Sequence, residues 1–265
     1  MNAHKELLYG YQFDPVRIDE AIANCRTALR TRRRVLIGVL NAAKVVNARR
    51  DRQLQASLVD CDMLLADGQS IVWASKLLGH PLPERVAGID LFEKLLSLAH
   101  AENHSIYLLG ARPAVLAQLK IVLGRRFPGL RIVGSRDGYF DETESGQVAE
   151  DIRRAQPDML FLGMTSPRKE IFLGAFGRSL NVPILHGVGG SFDILAGQTR
   201  RAPVRWQQMG MEWAYRVLQE PRRLWWRYLR TNTAFLLLTV REMLRPTRAF
   251  HLQLGATAAS RMRGA

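Results

Sequence analysis

The chain is poor in cysteine, with two in 265 residues. Cys25 and Cys61 form no CxxC pair and no metal-ligand spacing. That excludes a disulfide scaffold and makes a reducing compartment the expectation. Long apolar runs are also missing; stretches such as Phe235-Leu236-Leu237-Leu238 are short. A spanning helix needs roughly 20 mostly apolar residues, so the chain is not expected to cross a membrane. The amino-terminal stretch MNAHKELLYGYQ lacks the apolar core of a secretory signal. Nucleotide and metal motifs are sparse as well. There is no GxxxxGK followed by Ser or Thr, and a GxGxxG reading of Gly187-Val188-Gly189-Gly190 fails at Phe192. The six histidines show no HExxH motif. Asp60-Cys61-Asp62 has the form of a DxD metal motif, but it falls between a helix end and a strand start and is read as coincidence. No metal ion and no cofactor are expected.

Acidic residues are scarce relative to basic ones, 24 against 38, for a net charge of +14. Such a balance suits anionic partners: phosphorylated substrates, nucleic acid or an anionic lipid surface. The excess is uneven. The segment from Pro203 onward carries 11 Arg, no Lys, 3 Glu and no Asp, which is +8 of the total.

Short apolar runs alternate with helical patterns. Candidate strands are Val35–Leu40, Met63–Ala66, Ile106–Leu109, Leu130–Val133, Met159–Gly163 and Pro183–Val188. Continuous apolar strands separated by amphipathic helices imply a mostly parallel sheet covered on both faces. The expected fold is α/β, doubly wound and Rossmann-like. Strand signals stop near Ala202-Pro203. We expect a catalytic domain over 1–202, a helical membrane-surface appendage over 203–246, and a disordered tail over 247–265.

Ligands of a doubly wound sheet bind at the carboxyl ends of its strands. Those ends hold Asn41, Asp67-Gly68, Gly110-Ala111, Asp137-Gly138-Tyr139-Phe140, the run Thr165 to Glu170 with Lys169, and Gly189-Gly190-Ser191-Phe192-Asp193. Any one of them reads equally as a turn; six together point to a nucleotide-type ligand. Asp67 ends an apolar strand, so partial desolvation should strengthen it as a base. It is equally readable as the N-cap of a helix starting near Ser70. Arg85, in a loop, can clamp a phosphate or pair with Glu84. His186 reads as a strand-end or core residue. Beyond Pro203, Trp213, Tyr215, Trp225, Trp226 and Tyr228 lie among arginines, including Arg216, Arg223 and Arg227. That mixture suits a membrane interface; simple packing and nucleic-acid binding are the alternatives.

Taken together, these segments resemble the WecB/TagA/CpsF family of bacterial glycosyltransferases. The matching pieces are Asn41-Ala42-Ala43-Lys44-Val45-Val46, Leu65-Ala66-Asp67-Gly68, Leu82 to Asp90, Tyr107 to Ala111, Arg136 to Phe140, Pro167-Arg168-Lys169-Glu170, Gly187 to Asp193, Arg201-Ala202-Pro203, and Glu212-Trp213 through Glu220-Pro221. The resemblance implies inverting transfer of a hexose from a UDP-sugar to a sugar on polyprenyl diphosphate, in building teichoic-acid linkers, enterobacterial common antigen or exopolysaccharide. It implies that Asp67 is the catalytic base, with Asn41 and Arg85 in the same pocket, and that Asp193 lies in the nucleotide site. Gly110, Asp137, Gly138, Tyr139, Lys169, Glu170, Gly189 and Gly190 are the further substrate-binding candidates. Arg85, Arg216, Arg223 and Arg227 are candidates for anionic groups of donor, acceptor or membrane. The basic carboxyl-terminal segment should reach an anionic membrane, placing the protein peripherally on the inner face of the cytoplasmic membrane; nucleic acid is not an expected partner, and a homo-oligomer is left open. Two positions depart from the family pattern. Its usual Pro-Lys-Gln-Glu has Lys169 in place of the amide, and Val39 stands where a hydroxyl residue is common. Both weaken the implication of an N-acetylmannosamine-type donor and favour a plain hexose such as glucose. The rival readings are a nucleotide-dependent oxidoreductase, disfavoured by the missing GxGxxG, and a basic membrane- or nucleic-acid-binding module.

Overall fold

The computed structural model describes residues 4–251, apart from the side chains of Arg216 and Arg223. The chain opens with an antiparallel hairpin of β1 (Glu6–Leu8) and β2 (Tyr11–Phe13). The turn places Tyr9 at φ 54° and Gly10 at φ 86°, the pairing of positive angles that a two-residue hairpin loop requires. There follow α1 (Ile18–Thr31), β3 (Val35–Leu40), α2 (Ala42–Ala48), α3 (Arg52–Val59), β4 (Met63–Ala66), α4 (Gln69–Leu77) and α5 (Gly88–Ala101). Next come β5 (Ser105–Gly110), α6 (Pro113–Arg126), β6 (Arg131–Arg136), α7 (Ser145–Ala155), β7 (Met159–Gly163), α8 (Arg168–Phe176), β8 (Ile184–Gly187) and α9 (Ser191–Leu195). Three helices close the described chain: α10 (Val204–Gln208), α11 (Glu212–Gln219) and α12 (Pro221–Leu244).

Strands β3 to β8 form one sheet in the order β4-β3-β8-β7-β5-β6, parallel throughout. The α/β doubly wound expectation holds. Alternate residues of each strand feed opposite cores. Ile37, Leu65, Ile106, Phe161 and Ile184 meet α1, α5, α6 and α9 on one face. On the other face, Leu40 and Leu64 meet α2, α3 and α4, while Leu109, Leu162 and Leu185 meet α7 and α8. Five strands are buried along their whole length; only the edge strand β6 is half open, and it runs on to Arg136, past the Val133 at which its apolar signal stops.

The segment 203–246 is helical, yet α12 is stitched into the body of the protein. Phe235 joins the core beneath the hairpin, its ring 5.4 Å from that of Tyr9. Tyr9 places its hydroxyl 2.8 Å from Thr239 Oγ1, and its backbone N–H donates to Glu242 Oε1 at 3.1 Å. Residues 247–251, expected to be disordered, are placed: the Phe250 N–H donates to Gly10 O at 2.8 Å, and its ring lies 5.2 Å from Tyr11. The rest of the expected tail, 252–265, lies outside the described residues.

Candidate functional site

Because the sheet is all parallel, the carboxyl ends of its strands open on one rim. Asn41 follows β3 and caps α2: its Oδ1 accepts from the Lys44 N–H at 3.1 Å. Its Nδ2 faces Asp67 Oδ2 at 3.4 Å. Asp67 follows the neighbouring β4, tied by its own N–H to Leu40 O at 3.0 Å. Its Oδ1 accepts from the Gly88 N–H, the first of α5, at 2.9 Å. The expectation that Asp67 caps the next helix is corrected: α4 has Gly68 at its N-cap and no side-chain cap. Asp67 serves the distant α5 instead, whose first-turn N–H groups have no intrahelical acceptors.

Beneath this pair lies His186, buried completely in β8, with Nε2 3.2 Å from Gly88 O. Burial pushes its pKa down to about 4, so the ring is neutral at pH 7. A carbonyl can only accept, so Nε2 donates in this contact when it carries the imidazole proton. One residue, Gly88, therefore links Asp67 through its N–H to His186 through its C=O.

A buried charge cluster stands beside them. Glu170 Oε1 lies 3.3 Å from Lys44 Nζ and 3.2 Å from Lys169 Nζ. Lys44 also donates to Val39 O at 2.8 Å. Burial works to raise the Glu170 pKa, but the two ammonium groups outweigh it and hold the carboxyl below its ordinary value. Burial and then the charge of Lys44 push Lys169 down to about 8. Lys44 is a functional candidate that strand-end reading missed; its signal is the Asn-x-x-Lys spacing across the cap of α2.

The rest of this rim is built of glycine. Gly110, at φ +129°, lies so close to β7 that a Cβ there would stand 2.5 Å from the Gly163 carbonyl carbon. Gly163 in turn has no room for a Cβ against the Phe192 ring. The Gly138 N–H donates to Ala111 O at 2.9 Å, and Asp137 Oδ1 accepts from the Tyr139 N–H at 2.8 Å. Asp137 is thus committed to its turn, while Tyr139 is 71% exposed. Gly189 has φ +56°, and nothing stands within 4 Å of a Cβ on Gly190. Asp193 lies in the first turn of α9 with no side-chain hydrogen bond or ion pair among the described residues.

Three expectations need correction or relocation. Arg85 does not pair with Glu84; its Nη1 donates to Glu212 Oε2 at 2.6 Å, and Glu84 instead meets Arg17 at 3.5 Å. Glu212 also holds Arg201, which reaches Asp90. This network fixes α11 over α5 and the loop before it, and no local signal in the sequence announces it. Arg227 is exposed on α12, 5.4 Å from the Tyr228 ring centroid, and among the described residues no hydrogen bond or ion pair ties its side chain to the rim. Arg216 and Arg223 lie on α11 and α12, their side chains outside the described residues. The Asp60 and Asp62 carboxylates are committed to Arg34, Arg178 and the Leu36 N–H, at the opposite end of the sheet.

The sequence matches the model of the Glycosyl transferase WecG/TagA/CpsF family over residues 6–249. It is 36% identical over 180 residues to an N-acetylglucosaminyldiphosphoundecaprenol N-acetyl-beta-D-mannosaminyltransferase of Bacillus spizizenii, covering 68% of each chain. It is 32% identical over 195 residues to a protein of the same name from Bacillus subtilis, covering 74% of each.

Proposed function

Because this chain belongs to the WecG/TagA/CpsF family of glycosyltransferases, we propose that it is an inverting enzyme. It moves a hexose from a UDP-sugar to a sugar carried on polyprenyl diphosphate, in the building of a cell-surface polymer. Membership sets aside the oxidoreductase and the binding-module readings. The observation that carries the proposal is Asp67. This carboxylate stands at the carboxyl rim, held on one oxygen by the Gly88 N–H and facing the Asn41 amide with the other.

A sugar hydroxyl is a poor nucleophile until a base takes its proton. Asp67 takes it; the hydroxyl oxygen attacks the anomeric carbon of the donor, and the bond from that carbon to UDP breaks, its electron pair leaving with the diphosphate. Attack from the face opposite UDP inverts the centre. The leaving diphosphate needs cations or aligned N–H groups. Basic side chains and the amides of the Gly189-Gly190 turn supply them in this reading, without a metal ion. N-acetylmannosamine, named in the relatives' activity, is the first donor to test. Glucose is the second, because Lys169 replaces an amide.

The acceptor never leaves the bilayer, so the enzyme must meet it at headgroup level. Among the described residues no helix is long and apolar enough to cross a membrane. The outward face of α12 offers Trp225, Trp226, Leu229, Leu236, Leu237, Val240, Met243 and Leu244, all exposed, among Arg222, Arg227, Arg230 and Arg241. Its inward face buries Leu224 and Phe235 together with Thr231, Thr239 and Glu242. A helix that turns apolar residues outward between arginines suits the interface of an anionic leaflet, here the inner face of the cytoplasmic membrane.

The test is thermal shift and transfer across a panel of UDP-sugars, with and without EDTA. UDP is expected to stabilise the fold, and one UDP-hexose to be transferred, in both conditions. Loss of binding and turnover in EDTA would refute the metal-free reading; indifference to every UDP-sugar would refute the function.

A further inference from the structure

The Lys44–Glu170–Lys169 cluster is unusual in its charge. Two ammonium groups share one carboxylate oxygen, at 3.3 and 3.2 Å. Lys169 and Glu170 are each only 7% exposed. Removing charges from water is costly unless each is paired. One carboxylate does not balance two cations. Among the described residues Asp67 is the further anion that acts on Lys169, as a weaker, more distant charge. Its carboxylate is engaged by the Gly88 N–H and Asn41, and His186 is neutral. Lys44 has a second partner in Val39 O; among the described residues the Lys169 ammonium has Glu170 alone as its ion-pair partner.

The path of the Lys169 side chain shows where this charge is delivered. Its methylenes cross Gly187 so closely that a Cβ there would lie 2.9 Å from Lys169 Cδ. The ammonium ends 3.9 Å from the Cβ position of Gly189, next to Gly190, whose surroundings are open. The charge is thus threaded under a backbone turn at the carboxyl end of β8, on the rim that also holds Asp67.

We propose that Lys169 is a specificity-determining residue of the donor pocket, its ammonium holding an anionic oxygen of the donor under the Gly189-Gly190 turn. The oxygen belongs either to the UDP diphosphate or to a carboxylate on the transferred sugar. The inference rests on the reading that this rim takes a UDP-sugar. A bound anion favours the charged lysine. The free amine titrates near 8 because burial and Lys44 lower it, so affinity is full below that pH and falls as pH rises through it.

The experiment is calorimetric titration of the full chain with uridine, UMP, UDP, a UDP-hexose and a UDP-hexuronic acid, at pH 7.5 and 9.5, with melting temperature as a folding control. The wild type is expected to lose on the order of tenfold in affinity for the anion-bearing ligand between these pH values, as lysine charge is lost. Lys169→Gln should bind that ligand about tenfold more weakly at pH 7.5, with no further step at 9.5 and uridine unaffected. Lys169→Arg should restore the affinity and keep it at pH 9.5, since a guanidinium does not titrate there. A deficit seen with UDP assigns the oxygen to the diphosphate; one confined to the hexuronic acid assigns it to the sugar. If both variants match the wild type within about twofold and share its pH profile, the inference is overturned while the function stands. A wild type that binds no uridine nucleotide overturns the function and the inference with it.

Discussion

Replacing Asp67 by Asn separates the chemical role of this residue from its structural one. The amide oxygen of Asn can still accept the Gly88 N–H now made at 2.9 Å. The loss falls on the other atom, where an NH2 would meet the Asn41 Nδ2 that now lies 3.4 Å from Asp67 Oδ2. Asn41 cannot simply reverse its amide, because its Oδ1 accepts from the Lys44 N–H and caps α2. The variant therefore loses one hydrogen bond, about 1 kcal/mol, and its melting temperature should fall by roughly 2–4 °C. The barrier to transfer should rise far more. A positioned general base contributes roughly 10²–10⁴-fold, equivalent to about 3–5 kcal/mol. The assay is transfer from the preferred UDP-sugar to a lipid-linked acceptor, alongside UDP affinity and thermal melting. Turnover near the wild-type rate would refute the assignment of the base. Turnover and UDP affinity lost in equal proportion would move Asp67 to donor binding.

Other expectations test the frame and the surface. Gly110→Ala places a Cβ 2.5 Å from a backbone atom of β7 at φ +129°, so nothing flexible can yield; a cost of about 3 kcal/mol, or roughly 6–12 °C in melting temperature, is expected, and an unchanged melt would refute the close packing of β5 on β7. Trp225→Glu with Trp226→Glu, both exposed positions, should leave the melt unchanged and release the protein from anionic vesicles; retention on the vesicles would remove the outward face of α12 from the docking role. Wild-type vesicle binding should also weaken with added salt, since charges at the interface are screened over about 8 Å at physiological ionic strength.

The sheet was legible because five of its strands are buried on both faces and therefore spelled as apolar runs. Its edge was legible only in part: β6 pairs with β5 alone, so from Gly134 to Arg136 its residues need not be apolar. The hairpin was missed because its strands are three residues long, with Glu6 and Gln12 interrupting the pattern. Part of its burial comes from α12, far away in sequence. At the rim, position was readable and partnership was not. Asp67 stands at a strand end as expected, but its hydrogen bond to Gly88 spans 21 residues, and the Arg85–Glu212 pair spans 127. Charge is visible in a sequence; what neutralises it is decided by packing.

The bond between Tyr9 and Glu242 joins residues 233 positions apart. During synthesis the hairpin emerges well before its cover. At about 5–20 residues per second, on the order of 10–50 s separate the two. Until then Leu8, Tyr9, Tyr11 and Phe13, all buried in the finished protein, have no Phe235 and no Phe250 to meet. The sheet can assemble on the ribosome while its amino-terminal flap waits. Nascent chains arrested ahead of α12 should therefore be cut by protease at the hairpin, and chains that include α12 spared. Helix α12 is the latch that closes over the hairpin.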